Sequence, residues 1–118
     1  MTTACIVLTT TASDEEAERI ARALLEEKLA ACVQVQAVTS LYRWKGEIAC
    51  DAERLLFIKT TVAHWDRVRD RIVALHSYET PEILRVPVEA GLDRYGAVLV
   101  AIGESLEASI LATLNSRL

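Results

Sequence analysis

The densest group of chemically capable side chains lies on one short segment, residues 76–82. It carries an imidazole, a phenol and two carboxylates, from His76, Tyr78, Glu79 and Glu82. Imidazole and carboxylate groups bind divalent metal ions and also transfer protons, so a metal site or an acid–base site is one interpretation. The alternative is structural: His76 caps a helix C-terminus, Tyr78 packs against the fold and the two glutamates form ion pairs.

The other reactive side chains give weaker evidence for a metal site or a catalytic site. Cys5, Cys32 and Cys50 are widely spaced, odd in number and without a CxxC pair, which argues against a disulfide framework and a standard zinc site. They are interpreted as small buried hydrophobic residues. His64 lies at the start of a predicted helix and is expected on the surface. No dinucleotide, phosphate-loop or metalloprotease motif occurs, so no enzymatic activity is predicted.

Length and charge exclude several classes of protein. The 118 residues are expected to form a single domain. A net charge of −4 and a pI of about 5.2 argue against a nucleic-acid partner, which would need a basic face. No apolar run approaches the roughly 20 residues of a membrane-spanning helix, and the N-terminus lacks the features of a signal peptide. We therefore expect a cytoplasmic protein with no membrane partner.

Hydrophobic periodicity predicts the elements that must position these side chains. Helical spacing is found over 14–29 and 62–76, and strand patterns over 4–10, 32–44, 48–61 and 82–88. A bulge is expected at 50–53, and Pro87 is expected at a sheet edge or strand end. The stretch 97–102 fits either a strand or a buried helix, and 105–114 has helical spacing. The order β-α-β-β-α-β predicts an α+β, ferredoxin-like fold with two helices on one face of an antiparallel sheet.

Two features predict association between copies of the chain. The two central strands are longer than a compact sheet of this size needs, and their overhang would leave unpaired backbone groups. The composition is 52% hydrophobic, which is high for a small domain. Together they predict a closed homo-oligomer.

Several blocks of sequence resemble the CutA family of divalent-cation tolerance proteins. The blocks are Ala30–Val33, Ser40–Ile48, Ile58–Thr61 and His76–Ile83, in family order within residues 4–90. The resemblance implies a PII-like homotrimer of ferredoxin-like subunits with long hairpins pairing across subunits. It also implies a cytoplasmic role in tolerance of copper and other divalent cations, without an established reaction. The trimer interface is expected to include Tyr42, Trp44, Ile48 and Phe57.

The resemblance also bears on metal ligands. Family members that are assigned a copper site use a cysteine at the end of the first strand and two adjacent histidines at the end of the second helix. In this chain those positions hold Thr10 and the pair Leu75-His76. The candidate ligands for copper or another divalent metal are therefore His76, Cys32, Glu79 and Glu82.

The C-terminal segment, residues 91–118, departs from the family pattern. Tyr95 matches a family tyrosine, but the tryptophan expected a few residues later is absent. The single domain is thus divided into a family-like core of about residues 4–90 and an atypical tail.

Two other functions are kept open. One is a PII-like signalling trimer that binds a small anionic ligand in clefts between subunits, with Arg43, Lys59 and Tyr78 as candidate contacts. The other is a structural or interaction module without a ligand.

Overall fold

The chain forms one antiparallel sheet of four strands in the order β2-β3-β1-β4. A computed structural model describes residues 3–102. The elements are β1 (Ala4–Thr11), α1 (Asp14–Glu26), β2 (Cys32–Trp44), β3 (Glu47–Thr61), a 3-10 turn (Val62–His64), α2 (Trp65–Leu75), β4 (Ile83–Pro87) and α3 (Asp93–Val100). This order and pairing confirm the predicted α+β, ferredoxin-like fold.

Helix α1 begins and ends at recognisable local signals. Ser13 is its N-cap, and the Ser13 hydroxyl accepts a hydrogen bond from Glu16 N–H at 3.2 Å. The helix ends three residues before the predicted position because Lys28 adopts a left-handed conformation, with φ 59°. Leu29 N–H then donates back to the Leu24 carbonyl at 2.8 Å, which closes a Schellman-type C-terminus.

The hydrophobic core lies between the sheet and the two longer helices. Its fully buried side chains include Val7 and Ile58 from the sheet, Ile20 and Leu24 from α1, and Ile72 from α2. Burial of each large aliphatic side chain stabilises the fold by about 1.5–3 kcal/mol relative to exposure. The core therefore holds α1 and α2 on one face of the sheet.

Strands β2 and β3 form a long regular hairpin. They pair without interruption from Cys32–Lys59 to Trp44–Glu47, across a two-residue turn of Lys45 and Gly46. Both turn residues have positive φ, 50° and 81°, as a type I′ turn requires. The prediction of a bulge at 50–53 is wrong, because this turn sets a register that needs no extra residue.

Half of this hairpin extends beyond the rest of the sheet. Strand β1 pairs with β3 only from Arg54 to Thr61. The distal hairpin, defined here as residues 38–53, is thus a two-stranded ribbon within the described chain. Such ribbons are marginally stable when isolated in water.

The C-terminal part of the described chain covers a corner of the other sheet face. Pro87 is the last residue of the edge strand β4, as predicted. The stretch 97–102, whose sequence fits either a strand or a buried helix, is helical up to Val100, and α3 packs against β1 and β3. The predicted helix at 105–114 lies outside the described residues. Within residues 3–102, no helix is long and apolar enough to cross a membrane.

Candidate functional site

His76 lies where α2 ends, beside the end of β1. It is the C-cap of α2, and its N–H donates to the Ile72 carbonyl at 2.9 Å. The imidazole is completely shielded from solvent. Its Nε2 lies 2.7 Å from the Thr10 carbonyl oxygen, and its Nδ1 lies 3.0 Å from the backbone nitrogen of Tyr78.

These two partners determine the protonation of the ring. A carbonyl oxygen only accepts hydrogen bonds, so Nε2 carries the proton that is donated to Thr10. A backbone N–H only donates, so the lone pair of Nδ1 accepts from Tyr78. The ring is therefore the neutral Nε2–H tautomer, and both nitrogens are occupied by the fold.

Glu16 connects the same loop to α1. Its side chain is 5% exposed, and its Oε2 accepts a hydrogen bond from Ser77 N–H at 2.6 Å. Its Oε1 accepts a longer one from Ala12 N–H at 3.4 Å. Burial alone would raise the pKa of Glu16, but the hydrogen bonds that its carboxylate accepts from Ser77 and Ala12 hold that pKa below its usual value. Glu16 is thus an ionised carboxylate that holds the segment after α2 in place.

Tyr78 connects the loop to β3. Its hydroxyl donates to Glu53 Oε2 at 2.8 Å, and its ring lies 4.8 Å from that of His76. Burial and the Glu53 carboxylate raise the pKa of Tyr78 above its ordinary value. The phenol is therefore a hydrogen-bond donor at neutral pH rather than an acid–base group.

The remaining candidate metal ligands do not gather around His76. Glu79 and Glu82 are exposed, and no ion pair involves either one within residues 3–102. Cys32 pairs with Lys59 on β3, whereas Thr10 pairs with Leu55. Four residues along a strand separate those positions by about 13 Å.

The donor set of one chain therefore does not fit a preformed metal site. In the described part of the chain, no group of three or more His, Cys, Asp or Glu side chains could hold a metal ion. Thr10 contributes its carbonyl to His76, and Leu75 packs against the core, so neither replaces the missing family ligands. The interpretation of His76 as a helix cap agrees with its hydrogen bonds.

The candidate anion contacts also lie apart within one chain. Arg43 pairs with Ile48 near the turn, whereas Lys59 lies eleven residues further along β3, about 36 Å away. Tyr78 contacts Glu53, between those two positions in sequence along β3. One protomer does not bring these three side chains to one point.

The structure places three polar residues differently from the sequence interpretation or in roles that it does not predict. The expectation that His64 lies on the surface is wrong: it is buried, with Nδ1 2.8 Å from the Thr61 hydroxyl, and burial lowers its pKa. No local sequence pattern predicts a role for Glu53 in the site, because its hydrogen-bond partner Tyr78 is 25 residues away in sequence. For Glu16 the sequence shows only the capping-box spacing from Ser13. That spacing predicts the start of a helix but not the hydrogen bond from Ser77 N–H.

Comparisons with known proteins agree with this architecture. Residues 5–101 match the family model described as CutA1 divalent ion tolerance protein. A divalent-cation tolerance protein CutA of Thermus thermophilus is 47% identical over 91 residues, which are 76% of this chain and 88% of that protein. Its counterpart in Archaeoglobus fulgidus is 45% identical over 86 residues, 73% of this chain and 84% of that protein.

Solved structures extend the similarity to three dimensions. CutA1 from Oryza sativa is 35% identical, with a TM-score of 0.82 over 89% of this chain and all of that one. A structure described as the periplasmic divalent cation tolerance protein CutA from Archaeoglobus fulgidus is 38% identical. Its TM-score is 0.79 over 91% of this chain and 98% of that one.

The family model spans most of the chain, and the relatives share its sheet and its helices at well above 30% identity. The chain therefore belongs to the CutA1 family of divalent ion tolerance proteins.

Proposed function

We propose that this protein acts in divalent-cation tolerance as a homotrimer. Family membership supports the cellular role. The main observation that supports the trimer is the distal hairpin. Its two strands pair with no other strand of the described chain, yet they carry large exposed apolar side chains. Trp44 is 60% exposed and Ile48 is 78% exposed.

A second apolar surface supports the same assembly. Strand alternation directs Ile6, Leu8 and Phe57 to the sheet face opposite α1 and α2. Helix α3 covers only one corner of that face, and Leu84 and Val86 of the edge strand remain exposed. In a trimer, the two other copies would cover this face and the distal hairpin and bury a continuous apolar area. Monomeric proteins seldom leave such an area exposed to solvent.

Sedimentation equilibrium tests the trimer. We expect a species of three times the 13.0 kDa chain mass at micromolar concentration. Ile48→Asp should dissociate it, because a charge would enter the interface. Val73→Asp is the matched control, since Val73 is 55% exposed on α2, away from the hairpin, and should leave the mass unchanged. A wild-type species of 13.0 kDa would overturn the assembly.

Cellular tolerance is tested by complementation. In a host that lacks its own family member, the wild-type chain should restore growth at raised copper or zinc concentration. Ile48→Asp should restore less growth than Val73→Asp if the trimer is the active form. Equal growth with an empty vector and with the wild-type chain would contradict the proposed role.

Weak binding of copper or another divalent cation is part of the proposal, with the exposed carboxylates of Glu79 and Glu82 as its ligands. His76 would have to give up the Tyr78 N–H before its Nδ1 could bind a cation. Cys32 lies about 13 Å or more along the sheet from Thr10, the residue beside His76, and is not expected to share the site.

Copper titration in a Cys50→Ser background tests this assignment, because Cys50 is an exposed thiol that would bind copper by itself. We expect His76→Gln to bind copper as weakly as the parent, and Glu79→Gln with Glu82→Gln to bind it less. A loss of affinity of tenfold or more in His76→Gln alone would show that the imidazole is a ligand.

We further propose a non-catalytic protein of the cytoplasm. Its three cysteines form no disulfide, as is usual in a reducing compartment. The one buried imidazole near the loop is held in a single neutral tautomer by two backbone groups, which leaves it no proton-transfer role. Fractionation of cells that express the full-length chain tests the location.

A further inference from the structure

A small cavity lies where α3 crosses the open face of the sheet. Its volume is about 140 Å³, and its surface is almost entirely apolar. The walls come from β1, β3, the segment after β4 and α3, through Ile6, Lys59, Val88, Leu92, Tyr95 and Leu99. An apolar cavity of about 150 Å³ is known to stay dry and to hold one benzene molecule. This cavity therefore has room for an apolar group of about six carbon atoms.

One charge lies in the wall of this cavity. Lys59 is half-buried, and its Nζ lies 5.8 Å from the centre of the Tyr95 ring. The aromatic face attracts the ammonium group and holds it in position. Within residues 3–102, no ion pair is formed by Lys59, so no carboxylate of the described chain neutralises it.

We propose that this cavity binds a short-chain monocarboxylate of four to six carbon atoms. The alkyl chain lies against Leu92, Leu99 and Ile6, and the carboxylate pairs with the Lys59 ammonium. Every wall of the cavity comes from one protomer, although Ile6 also lies on the sheet face that the proposed trimer would pack together. The proposed site is independent of cation tolerance, and a failure to bind the ligand would leave the proposed trimer unaffected.

The chemistry of the walls selects against other ligands. A divalent cation is repelled by Lys59 and finds no oxygen donors on apolar walls. A phosphate or nucleotide would need several donors, whereas the cavity surface offers a single ammonium group and little other polar area. An uncharged hydrocarbon would fill the volume but leave the ammonium unpaired. A monocarboxylate satisfies both the volume and the charge.

Ligand-observed NMR titration with pentanoate tests the site on the full chain in its native assembly. We expect saturable binding with a dissociation constant near 1 mM, since so few atoms are bound. Pentan-1-ol and pentanamide, which keep the chain but not the charge, should bind at least tenfold more weakly. Absence of saturation with pentanoate, or equal binding of pentan-1-ol, would overturn the proposal.

Variants locate the binding. Lys59→Met should weaken pentanoate binding at least tenfold, and Lys59→Arg should retain it. Leu92 is 63% exposed, so Leu92→Trp should fold normally and block the cavity. Arg22→Met is the matched control for loss of a cation, because Arg22 is largely exposed on α1, and it should bind as the wild type does. Retained binding in Leu92→Trp, or loss in Arg22→Met, would place the ligand elsewhere and overturn the site.

Discussion

The two halves of the β2–β3 hairpin have the same backbone regularity but opposite surroundings. In the proximal half, β3 lies between β1 and β2, and Leu56 and Ile58 are fully buried under the helices. In the distal half, the strands pair only with each other, and Leu41, Trp44 and Ile48 are exposed. Regular pairing therefore does not show where a strand gets its stability. The proximal half is stabilised by its own chain, and the proposed trimer would stabilise the distal half.

The largest expected effect is in the proximal half. Ile58→Ala removes a fully buried side chain between the sheet and both helices. We expect a loss of about 2–5 kcal/mol in the free energy of unfolding, from lost burial and the cavity left behind. Chemical denaturation monitored by circular dichroism measures it.

Ile48→Ala is the matched change in the distal half. In an isolated chain it should cost about 0.5 kcal/mol or less, as for other exposed positions. In the proposed trimer the cost should be larger and should depend on protein concentration, since association contributes to stability. A small cost that is independent of concentration would contradict burial of Ile48 between copies.

An intermediate effect is expected where the loop after α2 is tied to α1. Glu16→Gln replaces an ionised acceptor of the Ser77 N–H, so we expect a loss of about 1–3 kcal/mol at neutral pH. The folded-state pKa of Glu16 lies below its usual 4.5. Its contribution is therefore complete above pH 4.5 and is lost as the pH falls through the folded value.

Denaturation from pH 7 to pH 3 measures this contribution. The wild type should lose stability below pH 4.5 more steeply than Glu16→Gln does. Glu18→Gln is the control, because Glu18 lies on the same helix but is largely exposed, and its ion pair within residues 3–102 is with Arg22. If Glu16→Gln and Glu18→Gln had the same pH profile, the buried carboxylate would not stabilise the loop.

The smallest expected effect is at the turn of the distal hairpin. Lys45 has a positive φ, which asparagine tolerates better than lysine does. Lys45→Asn should therefore raise the free energy of unfolding by roughly 0.5 kcal/mol. Thermal unfolding measures the change, and Gly46→Ala should lower stability because its φ of 81° also disfavours a side chain. A destabilised Lys45→Asn would show that the contact of Lys45 with the Trp44 ring outweighs backbone strain.

Local sequence signals were sufficient to predict the helices and strands but not all of their terminal residues. The capping spacing of Ser13 and Glu16 predicts the start of α1 correctly, because both groups act within one turn. Helical spacing predicts the end of α1 three residues too late, because Lys28 takes a conformation that favours glycine. The predicted bulge is wrong because Asp51 and Glu53 interrupt the hydrophobic pattern of the strand without interrupting its register.

The candidate site was only partly predictable for a different reason. The sequence placed His76, Tyr78, Glu79 and Glu82 on one connection, but adjacency in sequence did not make them a cluster. Thr10 and Glu16 complete the surroundings of His76, and they are 60 or more positions away. The geometry of such contacts depends on packing between elements, which no local pattern contains.

The sequence by itself determined the order of elements, the antiparallel hairpin and the family, because these depend on periodicity and on short motifs. Only the tertiary structure decided the state of the reactive groups. The His76 ring is shielded from solvent, and Thr10 of β1 and Tyr78 of the following loop occupy its two nitrogens. Packing of α3 across the sheet forms a partly open apolar cavity beside Lys59. Burial and partner geometry, which control protonation and ligand access, arise only when distant segments meet.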